Sequence, residues 1–264
     1  MQSALEAFLT SGVLAFMLTF MRIGTAAMIM PGIGDSFINA RVRLHIALAL
    51  SLVLTPLVMV YIPSPVPPTI ALIQLIVMEM IIGLMIGTVA RIFIVALDTA
   101  GMVISAQSGL ANAQVFNPTQ ATQGSLIGSL LSMVGAVLVF AANLHHLLIM
   151  GLIESYQMFP MGTIPDFGSM AELIARAVSA SFSIGVKLAA PFIVLTLLIY
   201  TGMGVLTRLM PQVQVFLIAV PAQILLALIL LGLVIAALFS VWLQDYRSAM
   251  FFFFSSAAST PAPG

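Results

Sequence analysis

Two apolar stretches, residues 69–110 and 171–210, are each about twice as long as the helix needed to cross the hydrocarbon layer of a bilayer. Tilt cannot absorb that much excess. Such segments either break into hairpins inside the protein, or leave the hydrocarbon layer and pack on neighbouring chains. Broken helices are tolerated in a membrane only where protein or a water-filled path covers the freed backbone groups. The runs are long and continuous rather than ten residues long and alternating, which selects helices over a transmembrane barrel. Of the 264 residues, 62% are hydrophobic and 6% are charged. A soluble domain carries about a quarter charged residues, so the surroundings of this chain must be largely lipid or other protein. The expected fold is an all-α integral membrane protein of long, broken or bent helical hairpins.

Six apolar segments are expected: 8–30, 44–62, 69–110, 125–153, 171–210 and 212–244. The first ends at Pro31-Gly32-Ile33-Gly34, and the second stops at the cluster Pro63, Pro65, Pro67 and Pro68. The fifth contains Pro191 and the sixth Pro221. Residues 1–124 read as an N-terminal helical part that ends in a loop, and 125–254 as a C-terminal helical part. Residues 255–264 read as a disordered polar tail, the whole forming one co-assembled unit. No Lys or Arg precedes the first apolar run, which is too long for a signal-peptide core, so it reads as a retained helix. With six spans, Arg176 and Arg247 fall on one side of the membrane and Arg41, Arg43 and Arg208 on the other, a balance that assigns no orientation. Zero net charge gives no footprint for nucleic acid. The absence of cysteine excludes disulfides and thiol chemistry.

Six charged residues lie within or at the edges of apolar segments: Arg22, Glu79, Arg91, Asp98, Lys187 and Arg208. Each costs roughly 2.5 to 3.5 kcal/mol to insert into lipid, so each must face protein or water. A proton or ion relay is one reading. Paired charges that lock helices and subunits together are the other, favoured because four cations accompany two anions and no run of acidic residues is present. Glu79, Gly83, Gly87 and Arg91 follow one another at four-residue spacing, and Asp98 returns to the same helical stripe two turns later. Gly83 and Gly87 permit close helix approach. Gly124, Gly128, Ser132 and Ala136 form a second small-residue stripe. Both imply tight packing in a largely lipid-free assembly.

The stretch 109–124 is uncharged and rich in Asn, Gln and Thr between two strongly apolar segments. It includes Leu110, Asn112 and Gln114, then Val115 and Phe116 as its central bulky apolar pair, then Asn117-Pro118, which ends any helix. It is either a connecting loop or a loop that fills a pore with its apolar tip as the seal. A polar, uncharged loop can meet water without burying charge. His145 and His146 are adjacent and so point about 100° apart on a helix, and His45 is distant in sequence, so no metal site is expected. Trp242, Tyr246 and 251–254, beside Asp245 and Arg247, read as an interfacial anchor, with a docking site for another subunit as the alternative. No Ser-His-Asp arrangement, phosphate loop or usefully spaced carboxylate pair is present, so neither an enzyme nor a cofactor is expected.

Several stretches together resemble the flagellar export-gate family called FliR. They are Glu79-Met-Ile-Ile-Gly-Leu-Met-Ile-Gly87; Ala100-Gly101 with Gln107, Gly109-Leu110 and Asn117-Pro118; and Gly204-Val-Leu-Thr-Arg208-Leu-Met-Pro211-Gln212-Val-Gln-Val-Phe216 followed by Pro221. Arg22, Pro31, Arg41 and Lys187-Leu-Ala-Ala-Pro191-Phe192 also fit. The likeness spans almost the whole chain short of the tail. Gln214 stands where the family usually has Asn, and residues 111–114 are less aromatic than is common there. The resemblance implies a multi-pass protein of the bacterial inner membrane, in the flagellar basal body. It implies assembly with FliP and FliQ into a helical gate, with FlhB and FlhA nearby, through which unfolded flagellar proteins pass. It also implies bent hairpins lifted partly out of the bilayer plane, and residues 110–123 as the plug of the closed pore. The related injectisome family SctT is the nearest alternative. A small-solute secondary transporter, which usually shows internal repeats, is the alternative from a different class.

Overall fold

A computed structural model describes residues 2–62, 67–110, 125–210 and 215–255. The first apolar run is α1 (Gln2–Thr19), a π-helical turn (Phe20–Gly24) and α2 (Thr25–Ile29) in succession. A turn-rich stretch follows, in which Gly32 adopts φ +85°, and a Cβ there would lie 2.2 Å from the Phe140 ring. The Asn39 side chain accepts a hydrogen bond from the Arg41 amide at 3.0 Å and so caps α3 (Ala40–Val58), which ends in a 3₁₀ turn (Met59–Tyr61). α4 (Thr69–Gln107) is 39 residues long. α5 (Leu126–Ala141) and α6 (Leu144–Met158) are followed by α7 (Phe167–Leu209, 43 residues) and α8 (Val215–Ser255, 41 residues).

These lengths answer the question the sequence posed. α4 and α7 are continuous helices, not hairpins. At the rise of an α-helix each exceeds about 55 Å, against roughly 30 Å of hydrocarbon. Pro191 removes the amide that would bond the Lys187 carbonyl, yet α7 runs through it, as membrane helices commonly do. The fourth segment is the one that breaks. Asn143 takes the left-handed conformation (φ 58°), and α5 and α6 are bent by 76° there. Asn is among the few residues with a side chain that accept this geometry. Among the described residues, five helical runs are long and apolar enough to cross a membrane, or six with the bent pair counted as one. The molecule is an all-α membrane protein.

The capping at the start of α7 is local. The Asp166 carboxylate accepts from the Ser169 hydroxyl at 2.6 Å and from the Gly168 and Ser169 amides. The Ser169 hydroxyl first, then these amides, hold its pKa below the usual carboxylate range. The cap is therefore in place above that range and is lost only as pH falls through the lowered value.

Contacts sort the chain into two compact units. One draws on Met1–Ile92, Val139–Ala177 and Arg247–Gly264, the other on Phe93–Leu138 and Val178–Tyr246. In the first, Leu14, Leu18, Val58, Leu75, Tyr156 and Met161 form an apolar cluster. In the second, Trp242 is fully buried and its indole N–H donates to the Phe93 carbonyl at 3.0 Å. Tyr246, one turn on, is equally buried and meets the Phe93 ring edge-on. This corrects the expectation of an interfacial anchor. The i, i+4 spacing puts both rings on one helix face, and that face turns inward. Phe251 is exposed.

The closest backbone approach in the second unit is at Gly101, where a Cβ would lie 2.2 Å from Gly128 Cα. Gly101→Ala is expected to force the two backbones apart and to cost about 1–3 kcal/mol. Gly202 has open space at its Cβ position, so Gly202→Ala should be neutral or slightly stabilising. Gel filtration of detergent-solubilised protein after graded heating distinguishes the two.

Candidate functional site

The stripe Glu79, Gly83, Gly87, Arg91 on α4 lies against the segment 22–35, register by register. Glu79 meets Arg22. A Cβ on Gly83 would stand 2.2 Å from the Arg22 carbonyl oxygen, and one on Gly87 2.8 Å from that of Ala26. Arg91 donates to the Ile29 carbonyl and pairs with Asp35, both at 3.3 Å. The two glycines remove the side chains that would otherwise hold the backbones apart, and charges close both ends of the contact.

Arg22, set in the π-helical turn, is the centre of this arrangement. Its Nε and Nη2 grip the two Glu79 carboxylate oxygens at 2.6 and 2.9 Å. Nη2 also donates to the Phe159 carbonyl at 2.8 Å, and Nη1 to the Ser155 carbonyl at 3.0 Å and hydroxyl at 3.3 Å. All five guanidinium hydrogens are thereby used. The cation lies over the Tyr156 ring, 3.9 Å from its centroid, and Tyr61 stacks with the same ring at 6.1 Å between centroids. Arg22 and Glu79 are both buried. A buried pair of this kind ties α4, the π turn and α6 together, and removing one partner strands the other charge.

The remaining embedded charges differ. Lys187 on α7 pairs with Asp245 on α8 at 3.3 Å, with the lysine largely exposed. Asp98 is half-buried, with an oxygen 2.4 Å from the Cβ position of Gly128, and has no ion pair among the described residues. Arg208 is exposed in the last turn of α7, also without an ion pair there. The stripe continues through Gly101 on Gly128, while Gly124 lies outside the described residues. The rings of His145 and His146 sit 4.1 Å apart, centroid to centroid, in the first turn of α6, nearer than positions on an uninterrupted helix suggest. Phe140 packs 5.3 Å from His145.

Leu110 is half-buried at the end of the described part of the loop, and Asn112, Gln114, Val115, Phe116, Asn117 and Pro118 lie outside the described residues, as do Pro211 and Gln212. Phe216 falls in the first turn of α8, and Pro221 is exposed one turn later. The flanks of the loop are tied down. The Ser105 and Ser125 hydroxyls meet at 2.7 Å, and Ser125 Oγ donates to the Gly101 carbonyl at 3.0 Å. The Gln107 carbonyl accepts from Thr196 Oγ1 at 2.9 Å and from the Gln223 side-chain amide. Sequence reading missed Ser155, Tyr156, Thr196 and Gln223. Thr196 and Gln223 are polar residues inside apolar runs, which is the signal that would have found them, whereas Ser155 and Tyr156 lie just past the end of the fourth apolar segment, where no such contrast marks them.

These features define a class: a multi-pass, all-α membrane protein whose helices are locked by buried charge and glycine contacts. Residues 13–249 match the family model "Bacterial export proteins, family 1", and the chain belongs to that family. It is 42% identical over 88% of its length, and 93% of the relative's, to the flagellar biosynthetic protein FliR of Caulobacter vibrioides. It is 29% identical to FliR of Bacillus subtilis over 86% of the chain and 88% of that protein. It is 32% identical to the Yop proteins translocation protein T of Yersinia pestis over 58% of the chain and 59% of that protein. The family is a component of protein export in the bacterial cell membrane.

Arg22→Ala and Glu79→Ala are each expected to destabilise the fold by about 3–5 kcal/mol. Arg22→Lys should not rescue, because an ammonium cannot span a carboxylate and two carbonyls together. The double variant Arg22→Met/Glu79→Leu should lose less than the sum of the single losses, with a coupling of roughly 2 kcal/mol. Denaturant titration of the purified protein measures each arm of the cycle.

Proposed function

We propose that this chain is a structural, pore-forming subunit of the flagellar type III export gate, assembling with FliP and FliQ beside FlhB and FlhA and passing unfolded flagellar proteins. One observation carries the reading: likeness to a flagellar biosynthetic protein extends over 88% of this chain and 93% of that protein. The injectisome likeness covers little more than half, which favours the flagellar assignment. Exposed apolar side chains on helices far longer than a bilayer support burial against fellow subunits. Leu197 and Leu198 on α7 and Leu233 on α8 are each at least 65% exposed, and exposed apolar surface on this scale marks contact with lipid or protein.

The buried pair and the glycine contacts act as the rigid frame. Residues 110–118 are proposed as the plug. Support comes from the flanks, where the paired serines and the doubly bonded Gln107 carbonyl give the loop fixed roots. Energy for export would come from other parts of the machine.

Deletion of the gene should abolish flagellar filaments and swimming, and expression in trans should restore both. The affinity-purified chain should bring down several small helical membrane proteins. A monodisperse, lone polypeptide active in liposomes would instead indicate a transporter. Val115→Gly/Phe116→Gly should raise ion leak through the resting assembled gate, read by a membrane-potential dye. Unchanged leak in an intact gate removes the plug assignment while leaving subunit membership untouched.

A further inference from the structure

The stretch Ala40–Tyr61, α3 with its closing turn, is 22 residues long. At the rise of an α-helix it measures about 33 Å, which matches the roughly 30 Å of a hydrocarbon layer. Ser11–Ile29, at 19 residues, is the other described span of about that length, but half of it is buried, whereas the α3 stretch is mostly open. Its outer face is apolar and open: Leu44, Leu48, Leu52, Val53, Leu57 and Val60 are all exposed. A helix so matched places its first turn where hydrocarbon gives way to headgroups, and that turn carries Arg41 and Arg43. Phe37, 60% exposed, projects from the turn just before it.

The charges at this end do not cancel. Arg91 takes the nearby carboxylate, Asp35, at 3.3 Å. Arg43 donates from Nη1 to the Gly34 carbonyl at 3.3 Å, which holds its guanidinium beside the same turn, while its Nε is buried with no hydrogen-bond partner. Arg41 is exposed. Neither Arg41 nor Arg43 has an ion pair among the described residues. Arg43, held beside the turn, and the exposed Arg41 leave two cations without an ion pair at one helix end, which suits an anion with several acceptor oxygens. The open apolar face beneath them suits hydrocarbon chains attached to that anion.

We propose that Arg41 and Arg43 form a binding site for the phosphate of an anionic phospholipid, whose acyl chains lie along the exposed face of α3. Arginine suits the task because its fork matches phosphate oxygens and its stem reaches the headgroup plane from a helix end. Phe37 anchors the preceding turn at the same depth.

The test uses the full-length chain, purified in detergent with the subunits it retains. Dioleoyl phosphatidylglycerol or dioleoyl phosphatidylcholine is titrated in mixed micelles, and bound lipid is counted by native mass spectrometry. The wild type should hold phosphatidylglycerol in preference to phosphatidylcholine. Arg41→Gln should weaken that binding about fivefold, and Arg41→Gln/Arg43→Gln roughly 25-fold. Arg176→Gln, an equal change of net charge at a distant exposed site, should leave it unchanged. Should the double variant fail gel filtration, the fivefold loss in Arg41→Gln decides alone. Equal binding of the two lipids, or full retention of phosphatidylglycerol by both variants, overturns the proposal. So does displacement of phosphatidylglycerol by millimolar inorganic phosphate, which would mark a site for the free ion. Loss of a co-purifying subunit with lipid binding intact would assign the arginines to a protein contact and overturn it too.

Discussion

The five N–H groups of Arg22 set the terms for the first unit. A guanidinium sealed from water has to find an acceptor for every hydrogen, since each unmet one costs far more in an apolar medium than at a surface. The chain supplies them from two separate places: the carboxylate of Glu79 on α4, and the carbonyls of Ser155 and Phe159 with the Ser155 hydroxyl at the end of α6. Because these acceptors lie 57 to 137 residues away in sequence, the cation can be satisfied only when α4, the π turn and α6 are all in place. A buried pair of this kind commonly adds little net energy over an apolar filling, and what it ties down here is the placement of three elements relative to one cation.

Glycine does the complementary work. Leucine-rich helices in lipid gain little from association by apolar contact alone, because the surrounding chains are equally apolar. Close backbone approach at Gly83, Gly87 and the Gly101–Gly128 crossing gives dispersion contacts that lipid cannot match. Charge selects the register and glycine makes it tight. The two occur on a single stripe of α4, so that helix works as a ruler along which its neighbours are set.

Much of this was legible in residue order. The four-residue spacing of Glu79, Gly83, Gly87 and Arg91 is a direct consequence of helical geometry, and both its charges meet opposite charges in the structure. What the stripe could not reveal was the identity of its partners. Asp35 lies in a turn, and Ser155, which accepts from Arg22, sits just past an apolar segment, so neither the periodicity nor the composition points to them. Trp242 and Tyr246 misled for a related reason. Aromatic side chains with a polar tip fit a membrane interface, but they fit equally a core that offers one backbone carbonyl, and Phe93 offers it. The long segments were ambiguous because length alone does not say whether a helix folds back or runs on past the bilayer. Proline does not decide it, since membrane helices can run through one, as α7 runs through Pro191. Among the described residues, the apolar segment bent at a sharp break is the one with Asn143 at its corner, a residue that a hydropathy plot passes over.

That break has a consequence for the bilayer itself. At 16 and 15 residues, neither limb of the bent pair reaches across a full hydrocarbon layer on its own. The corner also frees main-chain groups that hydrocarbon cannot solvate. A flat, unperturbed film of lipid therefore cannot surround this part of the molecule. The leaflets must pinch inward there, or another polypeptide must fill the gap.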